Sequence, residues 1–319
     1  MKILTLNSHE AYVCLLTKLG YPIDIVDYLP GRYTKKWDER IRPIPENAEL
    51  ITLEEANKRK YDVIIAHSIT DLLDVKNIEA PKILKIDVSL TGYIHQQGST
   101  VKPQDVISAL KIYIDKFKII PVSTSEMKAK TWGLEDCIIV PLTVDTDFFS
   151  GYTGEISAGL RIANQIAQKS LIYDIGFFIK VIEKLPFKIV GYNPELPDVE
   201  PARDINELRE QYQKHRFYLH TARYDYEDGF NLASLEAMST GMPILTNQHP
   251  SSPVINGING FSSNDPHELT QYALELLNDR NLAIRLGKNA REYVIENHNF
   301  QKFKEGWEHA IYTAIMKFS

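Results

Sequence analysis

The sequence has few cysteines and no long apolar run, and each shortage narrows what the protein can be. Its 319 residues include two cysteines, Cys14 and Cys137, which lie far apart and form no metal-binding pair. A reduced, cytoplasmic protein is therefore expected, with peripheral association with a membrane as the alternative. No apolar run approaches the roughly 18 residues of a membrane-spanning helix. The first segment, MKILTLNS, predicts a strand rather than a leader peptide.

The sequence also lacks an excess of basic charge and several motifs of common enzyme classes. Its formal net charge is -6, so no general attraction to nucleic acid or to an anionic membrane is expected. No Gly-x-Gly-x-x-Gly, Gly-Lys-Ser/Thr or Gly-x-Ser-x-Gly stretch occurs. These absences argue against nicotinamide enzymes, phosphate-loop enzymes and serine hydrolases of the usual types. No cluster of Cys and His occurs either, and no metal site is predicted.

Short apolar segments alternate with helical ones, which indicates an α/β protein. In the first half, strands are predicted for the segments MKILTLNS, GYPIDIVDYL, YDVIIAHS, PKILKIDVS, KIIPVST and CIIVPLT. A helix is predicted over Pro103–Phe117, because its apolar residues recur on one helical face. Strands that are apolar almost throughout and alternate with helices favour a parallel sheet covered on both faces.

The second half restarts this alternation and predicts a second domain, as the length of the chain also suggests. Strands are expected at Leu160–Ala163 and in FKIVG, RFYLH and MPILTN, and helices at Asp174–Leu185 and Asn231–Thr240. The predicted domain limits are an N-terminal domain at 1–141, a polar, Gly-rich linker at 142–158, a second domain at 159–298 and a C-terminal helix at 299–319. This last helix is expected to pack back on the N-terminal domain.

The stretch DYEDGFNLASLEAMSTGMPILTN, residues 225–247, carries the strongest chemical signal. Asp228 and Glu236 stand eight residues apart around a predicted turn and helix start. Asn231 is suited to cap that helix. The amides at the positive end of the helix dipole would then form an anion site, made by Gly229, Phe230, Asn231 and Leu232. One interpretation is a diphosphate site flanked by acids that accept from sugar hydroxyls. The other is a capped core helix with two solvated acids.

The same stretch resembles the donor-binding signature of retaining GT-B glycosyltransferases, the nucleotide-sugar-dependent group 1 or family 4-like enzymes. There a Glu precedes a second Glu by eight positions, with Gly-Phe-Gly-Leu between them. Here Glu236 keeps the second acid, Asp228 replaces the first, and Asn231 replaces a Gly. The segments IIVPLTVDTDFF, FKIVGYNPE and NGINGFSSNDPHELTQ are similar to other parts of the family. The resemblance covers most of 137–294 and is weaker in the first domain, where NSHEAY replaces the family's Gly-rich loop.

The resemblance implies a GT-B architecture, in which two Rossmann-like doubly wound domains face a cleft and the second domain holds the nucleotide sugar. By resemblance, Glu236 would accept from the ribose hydroxyls, Asp228 would face the sugar, and Gly191 would belong to the donor site. Arg161 and Lys169 would neutralise the diphosphate as it leaves. Their spacing is eight residues, whereas about five is usual for the family, so the intervening loop must fold back.

Four residues of the first half are candidates for the other side of the reaction. His67 ends a predicted strand, at the edge where parallel sheets place ligands, and the family often has a His at such a position. Asp87 stands where the family usually has another His, and an ionised Asp can only accept a hydrogen bond. His9 and Glu10 follow the first strand. They would contact the acceptor, although a role at the start of a helix is equally consistent with the sequence.

Together with these residues, the resemblance implies a glycosyltransferase, most simply a hexosyltransferase, that acts with retention and without a metal. It would use a nucleoside diphosphate sugar as its donor substrate and no other cofactor. The acceptor would be a glycan, a lipid or a small molecule. Two alternatives remain open. One is a non-catalytic module that binds a nucleotide sugar or a glycan, suggested by the Asp residues at 228 and 87. The other is a nucleotide-sugar epimerase on the same fold.

Overall fold

The computed structural model describes residues 1–29, 36–226 and 228–318, which form two compact units. The first unit contains the described residues of Met1–Leu90, Ser99–Pro141 and Gln301–Ser319, and the second those of Thr91–Gly98 and Leu142–Phe300. Each unit is built around one sheet. The domain limits expected from the sequence stay a prediction.

The sheet of the first unit has seven parallel strands in the order β3-β2-β1-β4-β5-β6-β7. The strands are β1 Ile3–Leu6, β2 Ile23–Val26, β3 Ala48–Ile51, β4 Val63–Ala66, β5 Lys82–Ile86, β6 Ile120–Ser123 and β7 Ile138–Ile139. The central strands are buried along their whole length. This burial on both faces explains their nearly continuous apolar sequence.

Helices connect these strands and cover the sheet. They are α1 Glu10–Thr17, α2 Leu53–Ala56, α3 Ile69–Asp74, α5 Pro103–Lys116 and α6 Glu126–Thr131; α4 Leu90–Gln96 follows β5 in the sequence but belongs for most of its length to the second unit. Polar side chains mark several helix starts: Thr52 caps α2, Ser68 caps α3 and Ser125 caps α6. The α5 helix begins at Pro103, where the missing N–H of proline costs nothing.

The sheet of the second unit has five parallel strands in the order β12-β11-β10-β8-β9. The strands are β8 Ile156–Ile162, β9 Phe187–Val190, β10 His215–His220, β11 Ile244–Thr246 and β12 Gly260–Ser262. The helices that follow them are α7 Ile175–Ile182, α8 Ile205–Lys214, α9 Leu232–Thr240, α10 Pro266–Asn278 and α11 Arg280–Asn297. One face of the sheet packs on a core that includes Phe178, Phe217, Leu245, Leu276 and Leu286.

The last helix, α12 Phe300–Phe318, lies for most of its length in the first unit. Phe303, Trp307 and Ile311 follow one another at a spacing of four and are buried together on one face. The indole Nε1 of Trp307 donates to the hydroxyl of Tyr12 on α1 at 3.2 Å. This helix is therefore part of the core of the first unit.

The strand order decides where each unit can hold a ligand. In the first sheet the chain reverses direction across the sheet between β1 and β4, and in the second between β8 and β10. Ligands of doubly wound sheets bind at the carboxyl ends of the strands at these switch points. His67 follows β4, while Arg161 is near the carboxyl end of β8. The topology therefore puts both residues at switch points.

Candidate active site

The start of α9 is capped by side chains of its own first turn. The Oδ1 of Asn231 accepts from the amide of Ser234 at 2.9 Å, and the Ser234 Oγ accepts from the amide of Asn231 at 2.7 Å. The amide of Gly229 donates to the Oγ of Ser251 at 2.9 Å. The predicted N-cap is confirmed. Two amides of the expected anion site, those of Gly229 and Asn231, are, however, already bonded within the protein.

Two glycines of the predicted donor site permit close approaches of the chain. A Cβ atom at Gly229 would lie 2.7 Å from the Cβ of His249. Gly191 has a φ of 142° and lies against the backbone of Ala163, at the ends of β9 and β8. A side chain fits at neither position.

The two apolar residues of the expected donor site lie beside the turn and at the helix start. Phe230 has its ring centroid 5.6 Å from that of His298. Leu232 opens α9 and is half-buried.

The two acids of this stretch are both buried. Asp228 is 1% exposed and precedes the turn, and Glu236 is 4% exposed one turn into α9. The hydroxyl of Tyr212, on α8, donates to Glu236 Oε2 at 3.1 Å. The interpretation of two solvated acids is therefore wrong, because neither carboxylate lies on the surface. The specific roles of these acids toward a sugar stay predictions.

Arg161 is a buried cation at the carboxyl end of β8, with 2% of its surface exposed. Its guanidinium donates to the Oγ1 and the carbonyl oxygen of Thr221, at 2.9 and 3.4 Å. It also lies over the rings of Tyr173 and Phe178, each centroid 4.9 Å from Cζ. Burial lowers the pKa of Arg161. Within the described ranges, these hydrogen-bonding and aromatic partners are all uncharged.

Lys169 and Arg161 lie near the same tyrosine ring despite the long spacing between them in the sequence. Its Nζ is 5.9 Å from the centroid of Tyr173, the ring that also lies against the Arg161 guanidinium. The chain from Ala163 to Lys169 makes turns rather than extending β8, and so returns the lysine toward the strand end. The expected folding back of this loop is observed, and the two cations share one aromatic neighbour.

In the first unit, His67 is held in the neutral form. Its Nε2 is 2.9 Å from Thr5 Oγ1, whose single proton is donated to the carbonyl of Ile65 at 3.0 Å. The Nε2 therefore carries the ring hydrogen and donates it to Thr5, which leaves Nδ1 as an acceptor. Burial, together with the smaller effect of the Lys85 charge, lowers the pKa of His67 to about 3, while Asp71 opposes the shift.

Asp87 follows β5 and lies beside His67. Its Oδ2 is 3.7 Å from His67 Nδ1, and its side chain is 38% exposed. Asp87 forms an ion pair with Lys85, whose side chain is 1% exposed. The Lys85 Nζ also lies over the ring of Tyr12, 3.5 Å from its centroid. The structure thus brings together the two predicted residues and a buried lysine that sequence reasoning missed.

His9 and Glu10 take part in the start of α1. The Nδ1 of His9 accepts from the amide of Tyr12 at 3.3 Å and caps the helix. Glu10 is buried, and its Oε1 accepts from the amide of Asp38 at 3.3 Å. Burial raises the pKa of Glu10. The helix-start role of His9 is observed, while contact with an acceptor stays a prediction for both residues.

Part of the second unit is similar to a known family. Residues 200–293 match the family model of glycosyl transferases group 1. The matched segment contains the acids Asp228 and Glu236, the turn between them and α9. The resemblance inferred from the sequence is therefore confirmed, and the match supports the predicted enzyme class, a glycosyltransferase.

One curated relative is an uncharacterised glycosyltransferase of Methanocaldococcus jannaschii. It is 26% identical over 156 residues, which is 44% of this chain and 44% of the relative. The chain thus matches less than half of the length of this relative.

Several solved structures share the fold. HepE of Anabaena, solved with UDP and glucose, has a TM-score of 0.69 at 13% identity and covers 97% of this chain and 98% of its own. A glycosyltransferase of Rickettsia africae has a TM-score of 0.65 at 14% identity and covers 100% and 99%. TarM of S. aureus, in a complex that includes UDP, has a TM-score of 0.63 at 17% identity and covers 81% of this chain and 58% of its own. The predicted GT-B fold is confirmed.

The described residues contain neither a membrane-spanning helix nor a cluster of metal ligands. No helix in the described part of the chain is long and apolar enough to cross a membrane. Across residues 1–29, 36–226 and 228–318, no three His, Cys, Asp or Glu side chains stand close enough together to hold a metal ion.

Proposed function

We propose that the chain is a glycosyltransferase that moves a sugar from a nucleoside diphosphate sugar to an acceptor hydroxyl, with retention and without a metal. The observation that carries the proposal is Arg161. A buried guanidinium at a switch point, with uncharged hydrogen-bonding partners and with Lys169 beside the same Tyr173 ring, would form an anion site. The family match of the same unit favours a diphosphate as that anion.

A diphosphate suits this place on electrostatic grounds. Removing a cation from water is costly unless a counter-charge or good hydrogen bonds compensate. Arg161 has two hydrogen bonds to Thr221, one of them long, and two aromatic faces. A bound diphosphate would supply the charge, and its two groups match the fork of an arginine. As the bond to the sugar breaks, the diphosphate gains charge, so cations fixed beside it stabilise the transition state more than the substrate.

The two acids would orient the rest of the donor. Glu236, held by Tyr212 on a neighbouring helix, would accept from the ribose hydroxyls. Asp228 would accept from a hydroxyl of the sugar, with a reach about one bond shorter than that of the family's Glu. Both side chains are buried, and a carboxylate in such surroundings binds a hydroxyl more strongly than it would in water.

The proposed reaction breaks the bond between the anomeric carbon and the diphosphate oxygen. The acceptor oxygen forms the new bond on the same face, and its proton passes to an oxygen of the departing diphosphate. Retention follows from this geometry. Arg161 and Lys169 would supply the positive charge that a metal ion supplies in other transferases. The anomeric configuration of the product, read by NMR, tests retention, and activity in excess chelator tests independence from a metal.

A panel of UDP, GDP, ADP and dTDP in thermal melting is the direct test of the donor site. UDP comes first, because HepE and TarM were solved with it. A ligand at about 100 times its dissociation constant adds about 2.7 kcal/mol to the free energy of unfolding. Lys169→Met should abolish most of this gain, whereas Lys180→Met, which removes an exposed lysine of α7, should retain it. If no diphosphate of the panel raises the melting temperature at millimolar concentration, the proposed site is wrong.

Turnover of the donor separates catalysis from mere binding. The donor in this assay is a nucleotide sugar with the base that the panel selects. A transferase hydrolyses such a donor slowly when water is the only acceptor, and releases the nucleoside diphosphate faster when a sugar acceptor is present. Binding without release would indicate the non-catalytic module suggested by Asp228 and Asp87. Conversion of one nucleotide sugar into another would indicate an epimerase.

A further inference from the structure

We propose that Lys85 is a positioning residue of the first unit. Its buried ammonium fixes the Asp87 carboxylate at the carboxyl edge of the sheet, where Asp87 accepts a hydrogen bond from a substrate hydroxyl. The role of Asp87 toward substrate rests on the proposed function, whereas the contact between Lys85 and Asp87 does not. Neither the family match, which covers residues 200–293, nor the signature in the second unit includes this pair.

The position of Lys85 in the strand aims it at Asp87. Residues two apart on a strand point to the same face, so Lys85, near the end of β5, shares a face with Asp87 just beyond it. The Lys85 side chain is 1% exposed and that of Asp87 is 38% exposed. The lysine therefore contacts the carboxylate from inside the protein, and part of the carboxylate remains accessible to a ligand.

His67 cannot hold Asp87 in place by itself. Its Nδ1 is buried, has no hydrogen-bond partner in the described part of the chain, and faces Asp87 Oδ2 at 3.7 Å. With the ring hydrogen on Nε2, both facing atoms are acceptors, and two acceptors do not bond to each other. A cation attracts both of them. Lys85 is paired with Asp87 and close enough to His67 to lower its pKa, so it is the group that holds this arrangement together.

Lys85 is itself fixed by a stack of aromatic side chains. Its Nζ lies 3.5 Å from the centroid of Tyr12, a cation–π contact strengthened by burial. The Tyr12 ring packs against Phe303, with the centroids 6.1 Å apart, and its hydroxyl accepts from Trp307 Nε1. Both partners lie on α12. A continuous set of buried contacts therefore runs from the last helix of the chain to the partly exposed carboxylate of Asp87.

Stability alone does not account for a lysine at this position. Replacement of a buried ion pair by apolar side chains is often neutral or stabilising. The rest of β5 is apolar except for its first residue, Lys82. An apolar residue would suit the strand at least as well, and would leave Asp87 free to rotate. The lysine holds the Asp87 carboxylate in one rotamer. A displacement of about 1 Å at such a binding group lowers the reaction rate by up to about 100-fold.

The experiment compares three variants of the full chain. Lys85→Met removes the cation, Lys85→Arg keeps it, and Lys82→Met removes a lysine of the same strand that bonds to the carbonyls of Ile78 and Ala80 instead. We expect Lys85→Met to lower kcat for donor turnover by about 10- to 100-fold. Lys85→Arg should restore part of the loss, and Lys82→Met should resemble the unmodified protein. Thermal stabilisation by the nucleoside diphosphate should be the same in all of them, because its proposed ligands lie in the second unit.

A second readout does not depend on activity. With aspartate labelled with ¹³C at the side-chain carboxyl, the NMR signal that disappears in Asp87→Asn belongs to Asp87. That signal should move in Lys85→Met and stay in Lys82→Met. An unmoved signal, or turnover by Lys85→Met at the rate of the unmodified protein, overturns the proposal. If no nucleotide binds and no donor turns over, the proposed function has failed, and the carboxyl signal still decides whether Lys85 positions Asp87.

A pair of substitutions at Tyr12 covers the case in which Lys85→Met does not fold. Tyr12→Phe keeps the ring beneath the Lys85 ammonium, and Tyr12→Leu removes it. The Asp87 carboxyl signal should move in Tyr12→Leu and remain close to its original position in Tyr12→Phe. Equal signals in the two variants would contradict the proposed path from Tyr12 through Lys85 to Asp87.

Discussion

Arg161 is unusual because its guanidinium is 2% exposed and its hydrogen-bonding partners are uncharged. Arg161 contributes two hydrogen bonds, but its charge is desolvated and its pKa is lowered by that burial. Such a residue costs stability in the free protein and is compensated when an anion binds. The same logic applies to Lys85, except that its counter-charge, Asp87, is already present in the chain.

Arg161→Met should therefore separate stability from binding. We expect the melting temperature without ligand to stay the same or rise, because the apolar side chain fits between Tyr173 and Phe178 without a desolvated charge. Stabilisation by the nucleoside diphosphate should be lost. Thermal melting with and without the nucleotide measures both effects. A variant that melts several degrees lower but is still stabilised by the nucleotide would show that Arg161 is a structural residue.

The carboxylate of Asp24 makes the stability of the first unit depend on pH. Burial alone would raise the pKa of this carboxyl, but hydrogen bonds from Lys2, Arg59 and Tyr61 outweigh it and the pKa is lowered. A group whose pKa is lower in the folded state stabilises the fold above its unfolded value and loses that effect as the pH falls. Asp24→Asn should thus lower the melting temperature at pH 7, and the difference from the unmodified protein should shrink as the pH falls below about 4.

The control for this prediction is Glu46→Gln, which alters an exposed carboxyl of the same unit. It should leave the melting temperature nearly unchanged at each pH, as surface substitutions usually do. A difference between Asp24→Asn and the unmodified protein that stays constant from pH 7 to pH 3 would mean that the carboxylate charge is not what stabilises the fold.

At the level of single elements, the sequence predicted most of the strands and missed β3 and β12. The strands β1, β4 and β5 lie inside the apolar segments that predicted them, and β10 begins one residue before its predicted segment. The edge strand β3 was missed because it begins with Ala48 and Glu49, residue types that are depleted in strands, whereas β9 has the same burial pattern but is rich in strand formers. The three-residue strand β12 is too short to show any period.

The candidate site was predictable where local chemistry marks it and unpredictable where tertiary contacts make it. Asn231 and Gly229 were found because capping and tight turns have a strong residue preference. Tyr212 and Thr221 were missed because their contacts with Glu236 and Arg161 join distant parts of the chain. One signal could have identified Lys85: a charged residue inside an otherwise apolar strand needs a partner, and Asp87 stands two positions later.

The start of α9 provides a prediction at the same scale. In the free protein, the amide of Ser234 donates to Asn231 Oδ1. That amide is therefore not available to donate to a bound anion. Asn231→Gly should cost only a few tenths of a kcal/mol in stability, free that amide, and tighten nucleoside diphosphate binding. Asn231→Ala frees the same amide but should cost about 1 kcal/mol. Calorimetric titration together with thermal melting measures both quantities. Weaker binding in both variants would mean that the Asn231 side chain contacts the ligand.

At the level of the whole molecule, the candidate residues fall into two groups that belong to different units. The first unit contains both the start of the sequence and α12, and the proposed diphosphate site lies in the second unit. A change in α12 should therefore act on His67, Lys85 and Asp87 through Tyr12. It should not act on Arg161 or Lys169. The family match covers residues 200–293 alone, so the chemistry of the first unit has to be established from its own contacts.

Trp307→Ala tests this separation. The Trp307 side chain is fully buried, and loss of a buried Trp typically costs about 3–5 kcal/mol. We expect faster hydrogen–deuterium exchange in β1, β4, β5 and α1, which surround Tyr12 and its neighbours. A nucleoside diphosphate should slow exchange in β8 and at the start of α9, in the variant as in the unmodified protein. Tyr312→Ala, which alters an exposed side chain of the same helix, is the control and should change neither pattern. If Trp307→Ala speeds exchange equally in β8 and at the start of α9, the two units do not open separately, and the influence of α12 extends to the diphosphate site.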